Sequence, residues 1–152
     1  MVSQRHIHIT REFLVPVDHL FAHLAEHENL ARLFAPAKVS RLRSGDTDRN
    51  GVGSARTVRP GPMMSFVETV TAYRENELIE YRITNGGPLR NHFGQIRFSS
   101  LDASRSRVAF DIVFEGRFPG AGPIFRAILN HSIQRGLDSF REEAELLSLR
   151  PK

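Results

Sequence analysis

The chain has 152 residues, with 21 lysines and arginines against 17 aspartates and glutamates, and it contains no cysteine. The length suits one domain, residues 1–152, with a core of its own, and the missing cysteine excludes a disulfide framework, a thiolate metal centre and a cysteine nucleophile. The net charge of +4 comes almost wholly from arginine, because lysine occurs only at Lys38 and Lys152. Arg32, Arg41, Arg43, Arg49, Arg56, Arg59, Arg74, Arg82 and Arg90 are dispersed among strands and turns, with no basic run and no nucleic-acid motif. That pattern reads as a solvated surface and not as a nucleic-acid site. The start, MVSQRHIHITREF, is polar, and no apolar run approaches the ~20 residues of a membrane span. The expectation is a cytoplasmic protein without a membrane span.

In chain order, His6 to Val15 alternates Ile7, Ile9, Arg11 and Phe13 against His8, Thr10 and Glu12, which predicts a strand. Pro16 ends it. Val17, Leu20, Phe21 and Leu24 form a helical stripe; Asn29 interrupts, and Leu30, Leu33 and Phe34 predict a second short helix before Pro36. Lys38–Arg43 is a second strand and 44–53 a polar loop. Ser54–Arg59 is a third strand, closed by a hard turn at Pro60-Gly61-Pro62. Strands follow at Met64–Tyr73, Glu77–Thr84, Asn91–Leu101 and Arg107–Arg117, with connections short enough for antiparallel hairpins. From Gly122 to Leu149, Phe125, Leu129, Ile133, Leu137, Phe140, Ala144 and Leu147 recur every three or four residues. This predicts one amphipathic helix of ~27 residues, ~40 Å long, with Pro123 in its first turn and Pro151 as its stop. Such a helix needs a broad sheet to lie across.

Alternation assigns the inner faces. The last strand turns Val108, Phe110, Ile112 and Phe114 inward, and the one before it His92, Gly94, Ile96 and Phe98. Ile79, Tyr81 and Ile83 face in from the strand before that, and Phe66, Glu68, Val70 and Ala72 from its predecessor. A glutamate thus sits among apolar residues. Hairpin registers pairing Ala72 with Ile79, Val70 with Tyr81, Glu68 with Ile83, Ile83 with His92, Tyr81 with Gly94 and Phe98 with Val108 keep inside with inside. Glu68, Ile83, His92 and Phe114 then form one row. Glu68 and His92 stand two strand spacings apart, ~10 Å, on opposite walls and too far for a direct hydrogen bond. Glycine at 94 beside Tyr81 leaves room for a guest. Glu68 has two readings: a buried carboxylate held by Arg56, or a general base or ligand anchor.

His23-Leu-Ala-Glu26-His27 spells an inverted zinc-protease pattern, with His19 one turn earlier. The helix face that carries them is opposite Leu20, Phe21 and Leu24, so it is read as solvated, with no metal site. Gly51-Val-Gly53 opens into a strand, which leaves it a turn and not a dinucleotide fingerprint. The Gly116–Pro123 stretch at a helix start is read the same way, with an anion site as the alternative.

The phrases Phe13-Leu-Val-Pro16 followed by Asp18-His-Leu-Phe21, Asn50-Gly-Val-Gly53, Phe66-Val-Glu68, Tyr81-Arg-Ile83 and the terminal helix give the chain a resemblance to the START/Bet v 1-like (SRPBCC) superfamily. In particular it resembles bacterial members labelled polyketide cyclase/dehydrase or lipid transport. The resemblance implies an α+β helix-grip fold: a curved seven-stranded antiparallel sheet around the last helix, two short helices after strand one, and a cavity between sheet and helix. There is no tryptophan, and Phe34 and Phe110 stand where relatives often carry one. The resemblance implies no universal catalytic set and no cofactor.

On this basis the expected function is binding or carrying a hydrophobic, lipid-like or polyketide-like molecule. Phe66, Ile83, Ile96, Phe110, Phe114, Phe125, Leu129 and Ile133 would line the cavity, while Glu68, Tyr81 and His92 would orient polar groups. The alternatives are a cyclase or dehydratase acting on a polyketide-like ketone, with Glu68, His92 and Tyr81 as catalytic candidates, and a module that meets ribosome or another protein. A homodimer is compatible with each.

Overall fold

The computed structural model describes residues 4–148, with the side chains of residues 145–148 left aside. The expected stop at Pro151, the end at Leu149 and the last stripe residue, Leu147, lie outside the described residues or side chains. The elements are β1 (Arg5–Phe13), α1 (Val17–Ala25), α2 (His27–Leu30), a 3-10 turn (Ala31–Phe34), β2 (Lys38–Arg43), β3 (Ala55–Gly61), β4 (Met64–Arg74), β5 (Leu78–Gly86), β6 (Leu89–Asp102), β7 (Arg105–Gly116) and α3 (Ala121–Ser148). The seven strands form one antiparallel sheet in the order β1-β7-β6-β5-β4-β3-β2. This is the helix-grip arrangement. No described helix is long and apolar enough to cross a membrane.

Every inward residue expected on β7, Val108, Phe110, Ile112 and Phe114, is fully buried, as is Ile7 of β1. Ile133 and Leu137 of α3 seal onto this layer with no exposed area. Burial of each such side chain contributes about 1.5–3 kcal/mol relative to exposure, so this is where the fold gains most. Gly136 lets α3 approach the 3-10 turn closely, because a Cβ there would lie 2.6 Å from Leu33 Cδ2 and 2.8 Å from its Cα.

Three local readings need correction. The helical break falls at Glu26 (ψ 118°), not at Asn29. The Glu26 carboxylate accepts hydrogen bonds from Arg41, Arg49 and Asn50, and its carbonyl starts α2, while Asn29 Nδ2 caps α1 by donating to the His23 carbonyl at 3.0 Å. At the β3–β4 hairpin, Pro60 and Gly61 still belong to β3, with Gly61 opposite Met64. In β4 a bulge between Val70 and Ala72 puts Ala72 opposite Glu80 and Tyr73 opposite Ile79. One extra residue flips parity, so Tyr73 faces inward instead of Ala72 and packs on Phe21, ring centroids 5.4 Å apart. The pairs Glu68 with Ile83, Val70 with Tyr81, Tyr81 with Gly94 and Phe98 with Val108 form as expected.

Candidate functional site

A cavity of about 70 Å3 lies between the inner face of β3–β6 and the N-terminal half of α3. The sheet positions its polar wall. β3 and β4 pair Arg56 directly with Glu68, and both side chains point inward. Arg56 Nε donates to Glu68 Oε1 at 2.8 Å, and the guanidinium lies over the rings of Tyr81 (4.8 Å) and Phe34 (5.7 Å). Arg56 is 1% exposed and Glu68 5%, so the pair is desolvated and needs every partner it has. Among the described residues Arg56 Nη2 and the Tyr81 hydroxyl have no hydrogen-bond partner, and both are sealed from solvent.

His92 completes the wall. β6 bulges between Arg90 and Phe93, where Asn91 takes φ 51°, so Asn91 and His92 share the space opposite Phe114. The β5–β6 ladder ends at Tyr81–Gly94, and beyond it the Ile83 N–H donates to His92 Nδ1 at 3.1 Å. That bond makes Nδ1 the acceptor and leaves the proton of the neutral ring on Nε2. Burial holds the His92 pKa below its ordinary value; Glu68 opposes the shift, and Arg56 and Arg82 reinforce it. His92 Nε2 lies 3.8 Å from Glu68 Oε2. The two were expected on opposite walls. They share one wall, because inward side chains converge on the concave face of a curved sheet and His92 leans across the gap where the ladder ends.

Of the expected pocket residues, Phe66, Glu68, Ile83, His92, Phe125 and Leu129 border the cavity. Tyr81, Ile96, Phe110, Phe114 and Ile133 do not; they are at most 1% exposed and lie in the sealed core beneath it. The correction has a packing cause: α3 closes down on β7 from Ile133 onward, so the space ends at Leu129 and Ser132. Gly94 offers no room either. The Tyr81 ring fills it, and a Cβ there would be 2.3 Å from Tyr81 Cζ. Burial drives the Tyr81 phenol pKa upward, with Glu68 adding to the shift, so this residue is a neutral packing element.

Phe34, Ala37, Val58, Pro60, Leu89, Ile128 and Ser132 also line the cavity. Two signals for them were present in the sequence. Val58 and Pro60 continue the parity of Arg56, and Ile128 and Ser132 follow Phe125 at helical spacing. Phe34 ends the 3-10 turn, where its spacing with Leu30 and Leu33 indicates burial but not a place at the cavity, and Ala37 lies in the irregular link to β2, where no periodicity applies.

The histidine pattern does not form a common solvent face. His19 is exposed, His23 stacks on Phe140 at 4.0 Å and 10°, and His27 is buried with Nε2 3.1 Å from Ser54 Oγ. The break at Glu26 places His27 on a different helix from the other two. No group of three His, Asp or Glu side chains among the described residues is arranged to hold a metal ion.

A family model described as polyketide cyclase / dehydrase and lipid transport matches residues 4–145. A search of the curated proteins finds no match. Among solved structures, the Zhui aromatase/cyclase from Streptomyces sp. R1128 is 22% identical, with 94% of each chain covered and a TM-score of 0.70. A START superfamily protein from Mycobacterium smegmatis is 14% identical over 93% of this chain and 98% of its own, with a TM-score of 0.73. Norcoclaurine synthase from Thalictrum flavum, in complex with dopamine and hydroxybenzaldehyde, is 13% identical over 99% and 91%, with a TM-score of 0.68. At these identities the neighbours carry the fold, and the match over nearly the whole length carries the family: the chain belongs to the polyketide cyclase/dehydrase and lipid transport family.

Proposed function

We propose that this protein binds a small, mainly apolar molecule between the sheet and the N-terminal half of α3, as a binding or carrier protein. The observation that supports this is the composition of the cavity wall. Phe66, Ile83, Leu89, Phe125, Ile128 and Leu129 surround the space, and among the described residues the polar side chains that line it are Glu68, His92 and Ser132. An apolar chamber with a few convergent polar groups is the usual form of a small-molecule site. At about 70 Å3 the enclosed part takes a compact ring or short chain, and anything longer extends past Ile128 into solvent. Native mass spectrometry of the purified protein, before and after organic extraction, tests the reading. A bound lipophile that is lost on extraction supports it, and an empty protein that binds no apolar probe overturns it.

A second reading, a cyclase or dehydratase, draws on the same wall. In this reading Glu68 Oε2 would take a proton next to a ketone, and the His92 Nε2–H, 3.8 Å away, would stabilise the oxygen on which charge develops. In this tautomer His92 donates, so the base is Glu68 and not the imidazole. Turnover of a ketone substrate that disappears in Glu68→Gln with the fold intact would select this reading over simple carriage.

A further inference from the structure

Resting on the binding reading above, the free donors and acceptors of the polar wall narrow the ligand class. Glu68 Oε1 is taken by Arg56 Nε, and His92 Nδ1 by the Ile83 N–H. Two atoms are left over, Glu68 Oε2 and His92 Nε2. Among the described residues neither has a hydrogen-bond partner, and neither is sealed from solvent as Arg56 Nη2 and the Tyr81 hydroxyl are. Both residues border the cavity. The cavity therefore presents one acceptor and one donor, 3.8 Å apart, close enough for a single oxygen to touch both.

We infer that the ligand carries a neutral hydroxyl, as an alcohol or phenol, which donates to Glu68 Oε2 and accepts from His92 Nε2–H. The competing groups each leave something unmet. A ketone oxygen accepts from His92 but leaves Glu68 Oε2 desolvated without a donor. A carboxylate meets the charge of Glu68. An ammonium adds a third charge to a pair that Arg56 already balances, and it faces the His92 N–H. Ser132 also lines the cavity, but a serine hydroxyl donates or accepts with equal ease, so it does not discriminate.

The test is a set of five-carbon rings matched to the small chamber: cyclopentane, cyclopentanol, cyclopentanone, cyclopentylamine and cyclopentanecarboxylate, titrated into isotopically labelled protein and followed by amide shifts. Cyclopentanol is expected to bind at least ~10-fold more tightly than cyclopentanone, the ratio for losing one hydrogen bond to a charged group, while the amine and the carboxylate do not saturate. The double variant Arg56→Met with Glu68→Leu removes both charges, so neither is stranded, and should bind alcohol and ketone alike. Equal binding of alcohol and ketone to the wild type overturns the hydroxyl inference and leaves the cavity reading standing. A preference for alcohol that survives in the double variant also overturns it, because the selecting atoms then lie elsewhere. If none of the probes binds, cyclopentane included, the cavity reading itself falls.

Discussion

The two halves of α3 lie on one sheet and behave differently. From Ile133 onward the helix is sealed: Ile133 and Leu137 are fully buried, and Ala144 is 4% exposed. Before Ser132 it stands off. Ile124 and Ile128 are 58% and 51% exposed, and Phe125 and Leu129 are only half-buried at the cavity. The apolar stripe is continuous in sequence, so the difference comes from the sheet. Beside the C-terminal half the neighbours are apolar and meet the helix without loss: Phe13 packs on Phe140, and Leu33 lies against Gly136. Under the N-terminal half the inner wall includes Glu68 and His92. Closing leucines onto their free atoms would bury an acceptor and a donor with nothing to bond. The cavity is the gap that this mismatch leaves.

The most damaging test of that comparison removes the charge balance of the polar wall. Arg56→Met should cost about 3–5 kcal/mol in denaturant melts, because Glu68 is left charged and unpaired in the interior. Adding Glu68→Leu should recover most of the loss. A single variant as stable as the wild type would show that solvent reaches Glu68 freely and that the wall is not desolvated.

Truncations on the two halves should then separate. Leu137→Ala should cost about 3 kcal/mol, within the range for a buried leucine, and Leu129→Ala less than half of that, since one side already borders empty space. Phe140→Ala should fall between them at about 2 kcal/mol. Its ring stacks on His23 and tilts against Phe13 at 5.2 Å, but the residue is only partly buried. Equal losses at Leu137 and Leu129 would mean that the helix packs uniformly and the comparison is false.

The pH dependence isolates a third site, away from the cavity. His27 is 1% exposed, and its pKa is lowered to about 3, first by desolvation and then by Arg56 and Arg41. The neutral ring belongs to the folded state, so the unfolded chain binds the extra proton. Stability from His27 is complete above the unfolded pKa of 6.5 and is lost as pH falls from there towards 3. Between pH 7 and pH 5 this amounts to about 1–2 kcal/mol. His27→Gln should flatten the stability curve over that interval. Unchanged curvature would place the acid sensitivity elsewhere.

How much of this was legible in the residues depends on periodicity. The strands, the order of elements and the long stripe are all repeats of two or of three to four, and such repeats survive folding unless a bulge intervenes. Where one does, at Val70–Ala72 and at Arg90–Phe93, parity fails after the extra residue, which is why Tyr73 and not Ala72 faces in. The inward position of Glu68 and its partner Arg56 could be read from strand alternation. The depth of the cavity could not. Tyr81, Ile96, Phe110, Phe114 and Ile133 share the parity of the cavity residues, and only the approach of α3 to β7 decides which of them are sealed. Convergence of His92 on Glu68 was hidden for a related reason: ladder spacing measures Cα positions on a flat sheet, and this sheet curves.

The smallest expected effect on stability is at the mouth. Ile128 is half exposed and also borders the cavity, so it belongs to both environments at once. Isoleucine and serine have similar helix propensities, so Ile128→Ser changes little in the backbone. Half of the side chain is already in water, and surface substitutions usually stay within about 0.5 kcal/mol. Denaturant melts of this variant should therefore overlay the wild type to that precision. Binding should not overlay. The same substitution puts a hydroxyl on the cavity wall and removes apolar contact from the guest beside it. Cyclopentane should bind a few-fold more weakly, by the ~0.8 kcal/mol per lost methylene contact, while the alcohol keeps its preference over the ketone because Glu68 and His92 are untouched. A variant that loses as much stability as Leu137→Ala would put Ile128 in the packed half of the helix. One that binds cyclopentane as the wild type does would move the guest away from this end of α3.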